Sequence, residues 1–308
     1  MGRHQHIISD SLAHVMKRIM KQPDSKIISC PSHNGIRHAG VGRFITFRSY
    51  KLAERIIIWR ARHHRKGLLL AARALENLPV PFWQTRFFNK AIGAIFAIGS
   101  ALFMLGSLIA LFTHAQEAIF VANIVFFLGS IPFTVAAYMQ HFQAANAAQF
   151  SRLPSDDFLK QELQFIGWKP DDLGWLSTLT QFIGTLAFNI STFDAIQASR
   201  AWLVQDVTIW MPDMIGSLLF LISAYLAFIE TCDHLWKWKP HDISWQIVFT
   251  NLLGCIAFIF AACTSYVLPG WQPEWISQLS NSQLLVGAAC FLAGSLLTIK
   301  ESEMAEHQ

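Results

Sequence analysis

The sequence predicts an all-α membrane protein: six transmembrane helices in three repeated helical hairpins, preceded by a basic cytoplasmic N-terminal helical region. Three observations predict it. The chain has 308 residues, 53% of them hydrophobic and only 14% charged, whereas soluble domains carry about 25% charged residues. Apolar stretches approach the ~20 residues that a bilayer span needs at six places: 91–112, 118–139, 174–193, 213–230, 244–267 and 283–299. Charge is also unevenly divided, with 17 Lys and Arg against four acids in residues 1–90, and 7 against 16 in the rest. Residues 1–89 therefore form a basic region. Residues 90–308 form a transmembrane domain whose hairpins cover about 91–143, 174–230 and 244–301.

Residues 1–40 mix His, Ser, Lys and Gly and lack the apolar run of a cleavable signal peptide. Over 50–78, "YKLAERIIIWRARHHRKGLLLAARALENL" reads as an amphipathic helix. Leu52, Ile56 and Trp59 lie along one side, and Arg55, Arg60, Arg62, Arg65, Lys66 and Arg73 dominate elsewhere. Such a helix lies on an anionic leaflet. Arg55, Arg60, Arg62, Arg65 and Lys66 are therefore the candidates for contact with anionic lipid. Nucleic acid is the competing partner for a basic segment, but proximity to the membrane favours lipid. "LPVPF" then breaks the helix before the first span.

The spans share a motif. Gly99 opens "GSALFMLGS", Gly129 "GSIPFTVAA", Gly184 "GTLAFNIST", Gly216 "GSLLFLISA", Gly254 "GCIAFIFAA" and Gly287 "GAACFLAGS". On a helix, these small residues and the Phe fall on one face. In lipid, helices associate where small residues let backbones approach, so the motif reads as a packing seam. "TQFIGTLAF" from Thr180 also aligns with "TNLLGCIAF" from Thr250, and Gln143, Glu230 and Glu301 each follow a motif glycine by fourteen residues. An internal triplication of a two-span unit accounts for both. Pro132 falls inside the second span and is expected to kink it.

Lys and Arg stay on the cytoplasmic side of bacterial-type membranes. With six spans both termini share a side, and the opposite side keeps Arg200 as its only basic residue. Both ends are thus placed in the cytoplasm. Trp175, Trp210, Trp238, Trp245, Trp271 and Trp275 fall near span ends, where their rings suit the membrane interface. "WKWKP" from Trp236 reads as an interfacial turn.

The span centres hold no ionisable residue, which counts against a proton-coupled pump. The best polar cluster is "FNISTFD", 188 to 194. Asn189, Ser191, Thr192 and Asp194, with Asp213 at the start of the next span, form a candidate solute site. Interhelical hydrogen bonding is the competing use of the same residues. Gln181 and Asn251, each three before a motif glycine, read as glue between repeats. Glu230 and Glu301 are expected to pair with Lys237 or Lys300, or to cap the inner surface. Seven of the twelve histidines precede residue 65, but neither His4/His6 nor His63/His64 supplies the spaced Cys/His set of a zinc site. No Walker-type loop, HExxH or GxSxG is found. Cysteine spacing suggests no disulfide outside the cytoplasm. No metal, cofactor or catalytic residue is expected.

"PDMIGSLLFLISAYLAFIE" and "FIGTLAFNISTFDAI", continued by "NLLGCIAFIFAACTSYVLP" and "LLVGAACFLAGSLL", resemble the YrhK-like domain of bacterial membrane proteins. The resemblance covers roughly 174–299. It implies an integral inner-membrane protein and carries over no catalytic residue. The expected function is a non-enzymatic scaffold or sensor with a basic membrane-surface segment, and a small-solute or ion channel or transporter is the alternative. The bilayer is the expected partner, a homo-oligomer is open, and nucleic acid is disfavoured.

Overall fold

The computed structural model describes residues 37–52, 55–68, 80–113, 115–147, 163–197, 201–266 and 273–305, with backbone alone at 50–52 and 55–57. Strands β1 (Arg37–Val41), β2 (Phe44–Leu52) and β3 (Arg55–Arg60) form an antiparallel sheet in the order β1-β2-β3. Gly42, at φ +59°, lies in the turn between β1 and β2. Helix α1 (Ala61–Lys66) follows β3 directly and ends at Gly67 in the left-handed region, φ +70°.

The amphipathic helix expected over 50–78 is therefore replaced at its start by strand, and among its described residues only Ala61–Lys66 is α-helical. The physical reason lies in "RIIIWR". Three consecutive β-branched residues and a tryptophan favour the extended backbone, and β2 supplies a paired edge from Phe47↔Arg60 to Leu52↔Arg55. Residues 53–54 and 69–78 of that expectation lie outside the described residues.

Six long helices follow: α2 (Arg86–Phe112), α3 (Gln116–Asn146), α4 (Leu173–Ala195), α6 (Met211–Cys232), α7 (Ile243–Thr264) and α8 (Glu274–Met304). A short helix α5 (Trp202–Gln205) and a π-helical turn (Asp206–Trp210) lead into α6. Three N-caps are visible. Thr85, Asp172 and Asp242 accept from the backbone N–H groups of Phe88, Trp175 and Ser244. Pro132 sits inside α3 without ending it.

Five helical segments are long and apolar enough to cross a membrane: Arg86–Phe112, Gln116–Asn146, Trp202–Cys232, Ile243–Thr264 and Glu274–Met304. Their outward residues are apolar too, with Ile98, Leu128, Ile215, Leu253, Val286 and Leu296 all exposed. A stable surface of that kind needs lipid, and the chain is a multi-pass membrane protein by helix composition. Helix α4, at 23 residues, is also long enough to cross, but "NISTFD" lowers its apolar character.

Each long helix packs on the next in the chain, and α8 packs back on α2, so the six close into a ring. Within a hairpin the motif glycines and phenylalanines exchange places. A methyl group added at Gly99 would lie 2.8 Å from the Phe133 ring, and one at Gly129 would lie 2.8 Å from Phe103. Gly184 faces Phe220 while Gly216 faces Phe188, and Gly254 faces Phe291 while Gly287 faces Phe258. The same reciprocal seam thus closes α2–α3, α4–α6 and α7–α8.

Candidate functional site: two chambers about a phenylalanine layer

The six seam phenylalanines converge inside the ring. Phe103, Phe188 and Phe258 come from the first helices of the hairpins, with ring centroids 6.5 Å apart for Phe103–Phe258 and 6.3 Å for Phe188–Phe258. Phe133, Phe220 and Phe291 come from the second helices, at 5.7 Å for Phe133–Phe291 and 5.8 Å for Phe220–Phe291. Rings within a hairpin touch at 5.0–5.4 Å. All six are buried. The result is a two-tier aromatic layer across the middle of the ring.

A chamber lies on each side of this layer. The near chamber, on the side of the sheet, is small, about 70 Å³. Phe220 and Phe291 bound it toward the layer, and Arg62, Arg65 and Lys66 line it. The far chamber is about 330 Å³. It is floored by Phe103, Phe188 and Phe258 and lined by Ser191, Thr192 and Asp213.

Helix α1 closes the near mouth. Arg62, Arg65 and Lys66 are 7%, 8% and 6% exposed. Arg65 donates from both terminal nitrogens to Glu230, at 2.5 and 2.9 Å. Lys66 Nζ donates to Glu301 Oε2 at 2.7 Å, and Arg62 lies 3.4 Å from the same oxygen. Ser244 Oγ donates to Glu301 Oε1 at 2.5 Å, and His63 Nε2 lies 3.2 Å from that hydroxyl. Gly174 makes the Arg65 arrangement fit, because a Cβ there would overlap the guanidinium. Buried charges are tolerated only when paired and hydrogen-bonded, and these are.

The electrostatics follow from burial. Burial, then repulsion from Arg62, lowers the Lys66 ammonium to about 8 despite Glu301. Burial also lowers His63 to about 4, so its imidazole is neutral in the docked helix.

The sheet rests on the loops between hairpins. Thr46 Oγ1 donates to Asp233 Oδ1 at 2.8 Å, Arg43 pairs with Asp171 at 3.2 Å, and Arg60 lies 3.9 Å from Asp242. Two of these loops share a sequence signal that neither the apolar windows nor the glycine motif reveals: "WKPDDLGW" at 168–175 recurs as "WKPHDISW" at 238–245. Both make the same structure. Lys169 Nζ donates to the Ala147 carbonyl just past α3, and Lys239 Nζ donates to the Thr231 carbonyl near the end of α6. Asp172 and Asp242 cap the next helices, and Trp168–Trp175 and Trp238–Trp245 pack edge to face.

Several expected roles change. Glu230 and Glu301 pair with the N-terminal segment rather than with Lys237 or Lys300. Arg62, Arg65 and Lys66 are buried in these pairs, so they do not face a lipid surface. Arg60 is half-exposed beside Asp242, and the Arg55 side chain lies outside the described residues. Trp175 and Trp245 are 1% and 3% exposed, inside the connector rather than at the membrane interface.

Of the polar cluster, Asn189 Nδ2 donates to Thr134 Oγ1 at 2.9 Å, and Thr192 Oγ1 lies 3.2 Å from Ser130 Oγ. The Asn189 bond fastens α4 to α3, and the Thr192–Ser130 contact lies beside it. Ser191, Thr192 and Asp213 line the far chamber, whereas Asn189 and Asp194 do not. Gln181 and Asn251 line the near chamber, and Asn251 Oδ1 is buried without a hydrogen-bond partner among the described residues. The described residues contain no group of three or more His, Cys, Asp or Glu able to hold a metal ion.

Comparison with protein-family models, curated proteins and solved structures gave no match. What the site defines is therefore a class: a multi-pass helical membrane protein whose N-terminal segment is locked by α1 into one mouth of the bundle.

Proposed function

We propose that the chain is a non-enzymatic scaffold or sensor of the bacterial inner membrane, with six spans, α4 included, and both termini cytoplasmic. One observation carries the reading. The near mouth is closed by α1, whose three buried cations pair with glutamates at equivalent positions of two hairpins. The membrane ring thereby holds and orients a separate cytoplasmic module, and any change in the ring's mouth alters that hold. The three seams of identical geometry support a triplicated hairpin, and the resemblance of 174–299 to the YrhK-like domain is part of the same proposal. With α1 buried, contact with anionic lipid falls to Arg60 and to residues beyond the described sheet. The charged groups of the near mouth are engaged with one another, which supports a holding role over a catalytic one.

The experiment uses the full chain in lipid vesicles. Glu230→Gln with Glu301→Gln should release α1, exposing Lys66 to amine-reactive reagents while the ring stays inserted. Unchanged Lys66 protection contradicts the reading.

Two chambers on opposite sides of one aromatic layer favour a second reading, a channel or transporter. It requires the six rings to part. Solute flux through vesicles holding the wild-type protein, absent from empty vesicles, would establish it.

A further inference from the structure

The far chamber has a chemistry of its own. Its volume of about 330 Å³ falls within the range of small-molecule pockets. Its floor is aromatic, from Phe103, Phe188 and Phe258, and Trp210 stands on its wall. Asp213 is the one charged side chain among its described lining residues. The carboxylate of Asp213 has no hydrogen bond or ion pair among the described residues. It lies partly buried on the first turn of α6.

Most of the polar groups that line the chamber with it are already directed elsewhere. Asn123 Nδ2 donates to the Ala195 carbonyl at 2.7 Å, and Thr192 Oγ1 to Phe188 at 2.7 Å. Ser277 and Ser280 donate to the carbonyls of Glu274 and Ala261. Trp210 Nε1 donates to Ala262 at 2.9 Å. A hydroxyl has one proton and two lone pairs. With that proton engaged, it can only accept. The chamber therefore offers a carboxylate, acceptor oxygens and aromatic faces, and few free donors. An anion meets that carboxylate with few free donors to offset the repulsion, and a neutral apolar molecule leaves Asp213 uncompensated in a partly buried site. A cation that donates hydrogen bonds satisfies the carboxylate and the lone pairs together, and aromatic faces attract it further.

We infer that the far chamber binds a small organic ammonium, with its charged head on Asp213 and its apolar body on the phenylalanine floor. The inference rests on the sensor reading, for which it names the class of ligand. The layer of six rings then separates the bound cation from α1, so occupancy reaches the near mouth through the packing of Phe103, Phe188 and Phe258 on Phe133, Phe220 and Phe291.

The test titrates phenethylammonium into the full-length protein in lipid nanodiscs by calorimetry. The neutral 2-phenylethanol and the anionic 3-phenylpropanoate serve as comparators. Saturable binding of the ammonium is expected, at least ~10-fold tighter than either comparator. Asp213→Asn should weaken it ~10–100-fold, as for a lost charge-assisted hydrogen bond, and Ala195→Phe should block it by filling the chamber. Should these variants fail to assemble, the wild type suffices: phenethylammonium should slow modification of Asp213 by a hydrophobic carbodiimide. Equal binding of the alcohol, an unaffected Asp213→Asn variant, or unprotected Asp213 overturns the inference. Binding that depends on Asp213 but leaves Lys66 protection unchanged keeps the site and removes the sensor reading. Ligand-dependent exposure of Lys66 that persists in Asp213→Asn does the reverse.

Discussion

Glu230→Gln isolates the contribution of the near mouth with little change in shape. Glutamine is nearly isosteric with glutamate, so what changes is charge. The Glu230 side chain is fully buried and its partner Arg65 is 9% exposed at the side chain. Arg65 then keeps its charge in a dry site with no carboxylate hydrogen-bonded to it, only the more distant Asp172 and Glu301. Breaking a buried pair by removing one partner costs about 3–5 kcal/mol, because the other charge is left uncompensated. If that cost falls on docking, the open state of α1 rises by ~10²–10³-fold or more. Amide hydrogen exchange over residues 61–68 in nanodiscs reads this directly, since opening free energy sets the protection of those amides. The second arm replaces both partners, Arg65→Met with Glu230→Leu. Swapping an ion pair for apolar groups of similar volume is often neutral or stabilising, so the double variant should recover most of the loss. A cost below about 1 kcal/mol for Glu230→Gln, or additive effects in the cycle, would refute the claim that this pair holds the segment down.

Acidification should act through His63. Its pKa is lowered to about 4 in the docked segment from 6.5 when free, so its contribution to docking is complete above about pH 6.5. It weakens as pH falls toward 4, by roughly 3 kcal/mol in all at ~1.4 kcal/mol per pKa unit. Distance measurements between labels on the β1–β2 turn and the α6–α7 loop check this, and His63→Gln should flatten the response. At the seam, Gly184→Ala places a methyl 2.8 Å from the Phe220 ring. Overpacking of about 1–3 kcal/mol should appear as a lower thermal midpoint in detergent, while Gln278→Ala at an exposed position of α8 should change nothing. Asp242→Ala removes an N-cap and a partner of Arg60. A loss of about 1 kcal/mol should show as faster exchange in the first turn of α7.

Much of the ring is legible in the sequence because its signals are local. Apolar windows and a Gly-to-Phe spacing of four residues lie within single helices, and the pairing of Gly99 with Phe133 or of Gly184 with Phe220 follows once the hairpin closes. The near mouth is illegible for the opposite reason. Arg65 and Glu230 are 165 residues apart, and Lys66 and Glu301 are 235 apart. No periodicity connects them, so basic residues beside a membrane read as lipid contacts. The strands are masked because Leu52, Ile56 and Trp59 satisfy helical spacing, while the Ile-Ile-Ile run argues for strand. The repeated "WKP" connector is readable as a local pattern and by itself links the second and third hairpins. The far site is half legible: Asp213 lines the chamber, but Asp194, which the sequence groups with it, does not.

The one irregular position in the near mouth has a physical cause. Glu230 and Glu301 follow Gly216 and Gly287 by fourteen residues, and the residue fourteen past Gly129 is Gln143. Its Nε2 donates to the Trp83 carbonyl at 2.5 Å and to Asn89 Oδ1 at 2.9 Å, and Asn89 Nδ2 in turn donates to the Lys66 carbonyl at 2.8 Å. Both groups facing Gln143 are acceptors, presented by the chain as it passes from the N-terminal module into α2. A carboxylate there would meet two acceptor oxygens with no proton to donate to them. An amide supplies the donors. The ring thus departs from threefold likeness at the place where the polypeptide enters it. The two glutamates stay free for α1 because the first hairpin binds the connecting chain instead. The three hairpins hold one module by two kinds of bond, ion pairs at two positions and neutral hydrogen bonds at the third. A change that loosens the ion pairs leaves the module tethered through Asn89, which Gln143 holds in place.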